Sequence, residues 1–131
     1  MRPSRVLETC LYVDDVDAAQ AFYGGVLGLE LDSRVAGRHV FFRCGDSMFL
    51  LFNANQTTRP GGMVPPHGAR GAGHVAFAIT SDELPAWRER LREHGVDPEA
   101  EVTWPGGGIS LYFRDPAGNS IELTTPAIWK L

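Results

Sequence analysis

The feature that most constrains this chain is that its pattern occurs twice. Residues 6–13, VLETCLYV, alternate Leu7, Leu11 and Val13 with Glu8, Cys10 and Tyr12, the period of a strand. The next stretch, DDVDAAQAFYGGVLG, offers an acidic cap at Asp14 or Asp15. Val16, Ala19, Phe22, Tyr23, Val26 and Leu27 then recur at helical spacing before Gly28, with Gly24 and Gly25 weakening the helix. LELDSRVA, HVFFRC and MFLLFN follow as three strands separated by turn residues. The order then restarts. GHVAFAIT is a strand, and TSDELPAWRERLREHG is a helix with a Thr80/Glu83 capping box, a Leu84, Trp87 and Leu91 stripe, and a stop at Gly95. EVTW, GISLYFR and SIELTT complete the second set.

The two copies register against each other. Glu8 falls opposite His74, which aligns ETCLYVDD with HVAFAITS, and HVFFRC aligns with SLYFRD so that Phe42 meets Phe113 and Arg43 meets Arg114. Carrying the second offset forward sets Leu51 opposite Glu122. The expected organisation is one domain over 1–131, built from a module at about 5–54, a linker at about 55–71 and a module at about 72–128. The linker is dense in Gly, Pro and polar residues and reads as a long loop. At 131 residues there is room for two small modules sharing one architecture, not for two ordinary domains.

Each module predicts a sheet covered by a helix on one side only, leaving an open concave face. On the expected helix-facing side lie Leu7, Leu11, Val13, Leu50, Phe52, Val75, Phe77, Ile79, Ile121 and Leu123. Period two then sends Glu8, Leu51, His74 and Glu122 to the concave side. Taken singly, each polar member has an ordinary reading: a solvated strand acid for Glu8 or Glu122, a hydrogen-bonded structural histidine for His74. Their coincidence at equivalent positions on one face favours a joint role. Two carboxylates and an imidazole held together need compensating charge, which a divalent cation supplies. Three protein ligands with open positions suit a catalytic rather than a structural metal. Tyr12, Tyr112 and Arg114 are candidate substrate contacts. Arg114 has a repeat partner in Arg43, which also fits simple pairing with a nearby acid.

Composition narrows the function classes. A net charge of −4 with a pI near 5.5 argues against nucleic acid as a partner. No apolar run approaches the roughly 20 residues of a membrane span, and MRPSRVLETC lacks a signal-peptide core, so a cytoplasmic protein is expected. Cys10 and Cys44 have no metal-binding or disulfide spacing and read as half-buried thiols.

LYVDDVDAAQAFYGGVLGLEL, GHVAFAIT and SLYFRDPAGNSIELTTP together resemble the glyoxalase, bleomycin-resistance and extradiol-dioxygenase superfamily, the vicinal oxygen chelate proteins. The resemblance implies an α+β fold of two βαβββ modules forming a curved mixed-sheet cup around a divalent metal (Mn, Ni, Co, Zn or Fe), with Glu8, His74 and Glu122 as ligands. It also implies a small-molecule substrate and a homodimer. Glu8 or Glu122 would serve as the catalytic base in Lewis-acid or proton-transfer chemistry. Dioxygenases of the superfamily generally use two histidines and one carboxylate, so Glu8 weakens that reading. Glyoxalase I enzymes use a fourth ligand where this chain is expected to place Leu51. A metal-free drug- or metabolite-binding protein is the alternative of a different class, and the acid-rich set counts against it.

Overall fold

The computed structural model describes residues 1–131, which divide into two compact units, Met1–Gly71 and Ala72–Leu131. In the first, β1 (Glu8–Tyr12), β2 (Glu30–Val35), β3 (His39–Cys44) and β4 (Ser47–Phe52) form one sheet in the order β1-β4-β3-β2. β1 lies parallel to β4 and the other pairs are antiparallel. The second unit repeats this with β5 (His74–Ala78), β6 (Ala100–Thr103), β7 (Ile109–Arg114) and β8 (Ser120–Thr124), in the order β5-β8-β7-β6. Its parallel pair is β5 with β8. The βαβββ order read from the sequence is present in both units, and both sheets are mixed.

The helix of unit 1 starts where expected. Asp15 caps α1 (Val16–Ala21) by accepting from the amides of Asp17 and Ala18 at 3.0 Å. At Phe22–Val26 the helix widens into a π-helical turn containing Gly24 and Gly25, residues with little helical preference of their own. Tyr23, on this turn, is fully buried, 5.0 Å between ring centres from Phe49 and 6.3 Å from Phe42. Phe42, Val40 and Leu51 share its burial at 0% exposed, so the core of this unit is the helix-facing side of β3 and β4. Side chains of this size contribute about 1.5–3 kcal/mol each when removed from water.

In unit 2, Thr80 and Glu83 form the predicted capping box, with the Thr80 amide donating to Glu83 Oε2 at 2.7 Å. The following helix, α3 (Leu84–Glu93), buries Leu84 and Leu91. They join a core of Leu111, Phe113, Ile121 and Leu123, each 0 or 1% exposed.

The segment expected to be a linker carries structure of its own. Asn53 caps a single helical turn, α2 (Ala54–Thr57). Residue 68 then passes so close to this turn that a Cβ on Gly68 would stand 2.5 Å from Thr58 Cγ2. Only a bare Cα fits there without displacing a neighbour. No helix is long and apolar enough to cross a membrane.

Candidate metal site

The turn Asp115–Asn119 places the two central residues of the site. Asp115 Oδ1 accepts from the amides of Ala117 at 3.0 Å and Asn119 at 2.8 Å, and Asn119 Nδ2 donates to Asp115 Oδ2 at 2.9 Å. Asn119 Oδ1 in turn accepts from the Gly73 amide at 2.7 Å, and the Ser120 amide donates to the Gly73 carbonyl at 2.9 Å. The turn therefore locks the first residue of β5 beside the first residue of β8. His74 pairs with Ser120 and Ala76 with Glu122, so the two candidate ligands share one face, diagonally across adjacent strands.

Their contact is close and polar. His74 Nδ1 lies 3.0 Å from the Ser120 carbonyl, which can only accept, so Nδ1 carries the proton. Nε2 is left facing Glu122 Oε2 at 3.3 Å. In the neutral imidazole, two lone pairs then oppose each other across that gap, and a proton or a metal cation is the physical means of joining them. A histidine whose other ring nitrogen donates to a backbone carbonyl is the usual arrangement around a protein-bound metal. The donors present thus fit a divalent ion, with nitrogen from the exposed ring of His74 and oxygen from Glu122, which is 5% exposed.

Glu122 is held by a network that the sequence reading did not identify. Ser110 Oγ contacts Glu122 Oε1 at 2.5 Å, Trp104 Nε1 at 2.9 Å and Thr124 Oγ1 at 2.8 Å. Indole N–H can only donate and a carboxylate can only accept. Ser110 has one proton, so it goes to Glu122, and Thr124 donates to Ser110. That leaves Oε1 pinned and Oε2 turned to His74. Ser110 is 0% exposed and Thr124 6%, and no buried side-chain polar atom lacks a partner. Trp104 reaches Ser110 from the tight 104–108 turn. Gly108, at φ +92°, lies so near Ile128 that a Cβ would meet its Cγ2 at 2.5 Å. The sequence signal was a lone serine in the apolar strand ISLYF, on the Glu122 face by alternation.

Tyr112 lies directly opposite Glu122 on β7 and stacks toward His74, with ring centres 6.3 Å apart. Burial, reinforced by the Glu122 carboxylate, holds its phenol above the usual range, while the Ser110 hydroxyl opposes the shift. Arg114 points its guanidinium at Glu99, 3.0 Å away, and at the Gly118 carbonyl, 3.1 Å away. Its repeat counterpart Arg43 likewise pairs with Asp32 at 2.7 Å.

Glu8 and Tyr12 belong to unit 1, on one face of β1 with Cys10 between them, and Glu8 is exposed. Tyr12 is occupied: its hydroxyl meets His67 Nδ1 at 2.6 Å, and its ring lies 6.4 Å from that of Phe52. Burial raises its pKa, with Cys10 adding to the shift. Neither unit by itself gathers three His, Cys, Asp or Glu side chains closely enough to hold a metal ion.

The expected faces of β4 and the place of Leu7 are corrected. Leu51 does not share a face with the ligand positions, and Leu50 and Phe52 do not face the helix. Cys10 pairs with Leu50 as Ala76 pairs with Glu122, so Leu50 is the repeat equivalent of Glu122. The contact of Phe52 with Tyr12 places the even-numbered residues of β4 on the Glu8 face. The cause is turn length: four residues separate the paired Arg43 and Met48, whereas five separate Arg114 and Ser120. A shift of one residue exchanges the faces of a strand. Leu7, expected in the core, is 61% exposed just before β1 begins.

Residues 5–123 match the Glyoxalase/Bleomycin resistance protein/Dioxygenase superfamily. The chain belongs to this superfamily. Its fold agrees with a crystal structure of lactoylglutathione lyase from Agrobacterium tumefaciens, at 42% identity and a TM-score of 0.95, covering 99% of each chain. Among curated superfamily relatives, glutathione transferase FosA of Serratia marcescens is 28% identical over 86% of this chain and 74% of its own. Metallothiol transferase FosB of Bacillus licheniformis is 35% identical over 43% of this chain, a match spanning 37% of that protein's length.

Proposed function

We propose that the protein is a metal-dependent enzyme acting on a small molecule with two neighbouring oxygens, by Lewis-acid-assisted proton transfer. The observation that carries this reading is the His74–Glu122 pair, with Nε2 and Oε2 turned toward each other at 3.3 Å and their remaining polar atoms committed elsewhere. His74 and Glu122 would hold the ion, with Glu8 as third ligand. When bound, the ion would polarise a substrate oxygen and stabilise the negative charge that develops on it. Glu122 or Glu8 would accept the proton. Ser110 and Trp104 orient Glu122 for that role, and Tyr112, beside Glu122 and His74, is placed to donate to a substrate oxygen while its phenol stays protonated. Tyr12 and Arg114 would line the substrate space, and two copies of the chain would pair as a homodimer.

The similar proteins supply a substrate class to test first. Lactoylglutathione lyase and glutathione transferase both handle a glutathione compound, and lactoylglutathione has a hydroxyl beside its thioester carbonyl. A hemithioacetal of glutathione with a 2-oxoaldehyde becomes such a hydroxy thioester when the proton on its hemithioacetal carbon moves to the neighbouring carbonyl carbon and the hydroxyl proton passes to the other oxygen, the chemistry a carboxylate base and a Lewis acid perform.

The decisive experiment is elemental analysis of protein purified without chelator or His-tag, followed by turnover of that hemithioacetal. The expected result is about one equivalent of Mn, Ni, Co, Zn or Fe per chain, lost together with turnover in Glu122→Ala. A protein that neither contains metal nor takes it up on titration would sink the enzyme reading and leave a metal-free binding protein.

A further inference from the structure

In unit 1 a cleft of about 390 Å³ opens between Arg38 and the 56–67 segment, with Arg59, Met63, Val64 and His67 in its walls. The segment is anchored at His67. His67 donates its amide to the Thr57 carbonyl at 3.0 Å, meets the Tyr12 hydroxyl at 2.6 Å and packs edge-on against Phe52 with ring centres 4.7 Å apart. His67 therefore holds the end of the wall against the sheet's face.

The charges in this cleft are unbalanced. Three other arginines of the unit each meet a carboxylate: Arg5 with Asp46, Arg34 with Asp17, and Arg43 with Asp32. Arg38 and Arg59, which line the cleft, pair with none, as do Arg2 and Arg70 outside it, in a chain whose net charge is −4. Arg38 is held instead by neutral partners. Its Nη1 donates to His39 Nδ1 at 2.6 Å, and its guanidinium sits over the Phe52 ring, 5.8 Å from the centre. A half-buried guanidinium oriented this way, with donors left over, is prepared for a planar oxyanion, which it can meet with two parallel hydrogen bonds. Met63 and Val64, 105% and 58% exposed, offer apolar surface for the rest of such a ligand.

We propose that this cleft binds a small organic anion, its carboxylate or phosphate between Arg38 and Arg59 and its hydrocarbon part against Met63 and Val64. The site lies wholly within unit 1 and stands or falls separately from the metal reading.

Titration calorimetry of the full chain with hexanoate, inorganic phosphate and the uncharged hexanamide tests this. Hexanoate is expected to bind at least about tenfold more tightly than hexanamide, and Arg38→Gln and Arg59→Gln are each expected to weaken hexanoate by about tenfold, the scale of one charge-assisted hydrogen bond. Arg70→Gln is the control, since Arg70 bonds Asn55 at 2.9 Å and does not line the cleft. Phosphate binding with the same arginine dependence supports the oxyanion site and assigns it to phosphate if hexanoate is the weaker ligand. Circular dichroism checks folding, and if Arg38→Gln is unfolded, the exposed Arg59 carries the test. Failure of both anions to bind by about 10 mM would overturn the proposal, as would equal binding of hexanamide or equal losses in Arg70→Gln.

Discussion

His74 Nε2 and Glu122 Oε2 face each other at 3.3 Å, and each belongs to a side chain whose other polar atom is already bonded, Nδ1 to Ser120 and Oε1 to Ser110. The pair is thus presented as two donors to one point. Glu122→Gln keeps the shape and can still accept from Ser110, but it turns an amide N–H₂ or an uncharged oxygen toward His74. The variant is expected to fold normally and bind metal at least about tenfold more weakly, measured by competition with a chromogenic chelator. Unchanged affinity would remove Glu122 from the ligand set.

Ser110→Ala is expected to be more damaging to stability than its size suggests. It takes the serine donor from one oxygen of buried Glu122, and an unpaired buried polar group costs about 1–3 kcal/mol, while the freed N–H of the exposed Trp104 can turn to water. Trp104→Phe removes one donor and leaves the Ser110–Glu122 bond intact, so its loss in urea denaturation should be the smaller. The positioning role has its own signature: Ser110→Ala should lower kcat more than it raises KM, whereas a purely structural loss would leave both unchanged in the folded fraction.

The two faces of β4 give a separate test. Leu51 is 0% exposed on the helix side, so Leu51→Ala should cost about 2–5 kcal/mol and Leu51→Glu should prevent folding. Leu50, on the face that carries Glu8, should accept glutamate at a smaller cost in thermal melting. Equal losses for the two glutamate variants would contradict the face assignment.

The same strand shows what the sequence could and could not disclose. Period-two alternation and the doubled pattern placed every strand, both main helices and the shared face of His74 and Glu122, because those depend on local spacing. The register of Leu51 was lost because one extra residue in the Asp115–Asn119 turn changes the offset after Arg114, and turn length is settled by pairing partners, not by composition. Trp104 and Ser110 were passed over for a related reason: they meet only when the 104–108 turn folds β6 back against β7. α2 was hidden in a stretch whose Gly and Pro content reads as loop, and its cap at Asn53 was the available signal. The acid partners of Arg43 and Arg114 could be anticipated as a type, while Asp32 and Glu99 could be named only from the folded chain.

His39 should make stability depend on pH. Its ring accepts from Arg38 at 2.6 Å and stacks on Phe41 with centres 4.1 Å apart, and burial followed by the Arg38 charge lowers its pKa from the model-compound 6.5. Protonating it in the fold would put two cations against each other, while the unfolded chain takes up that proton freely. The folded state therefore binds fewer protons between the two pKa values, and stability rises with pH there. His39 contributes in full above about pH 6.5, and its contribution is lost as pH falls through the lowered folded value. Urea midpoints at pH 7.5 and 5.0 should differ in the wild type, and the difference should shrink in His39→Gln, which keeps an acceptor for Arg38 and cannot titrate. An unchanged difference would place the acid sensitivity elsewhere in the chain.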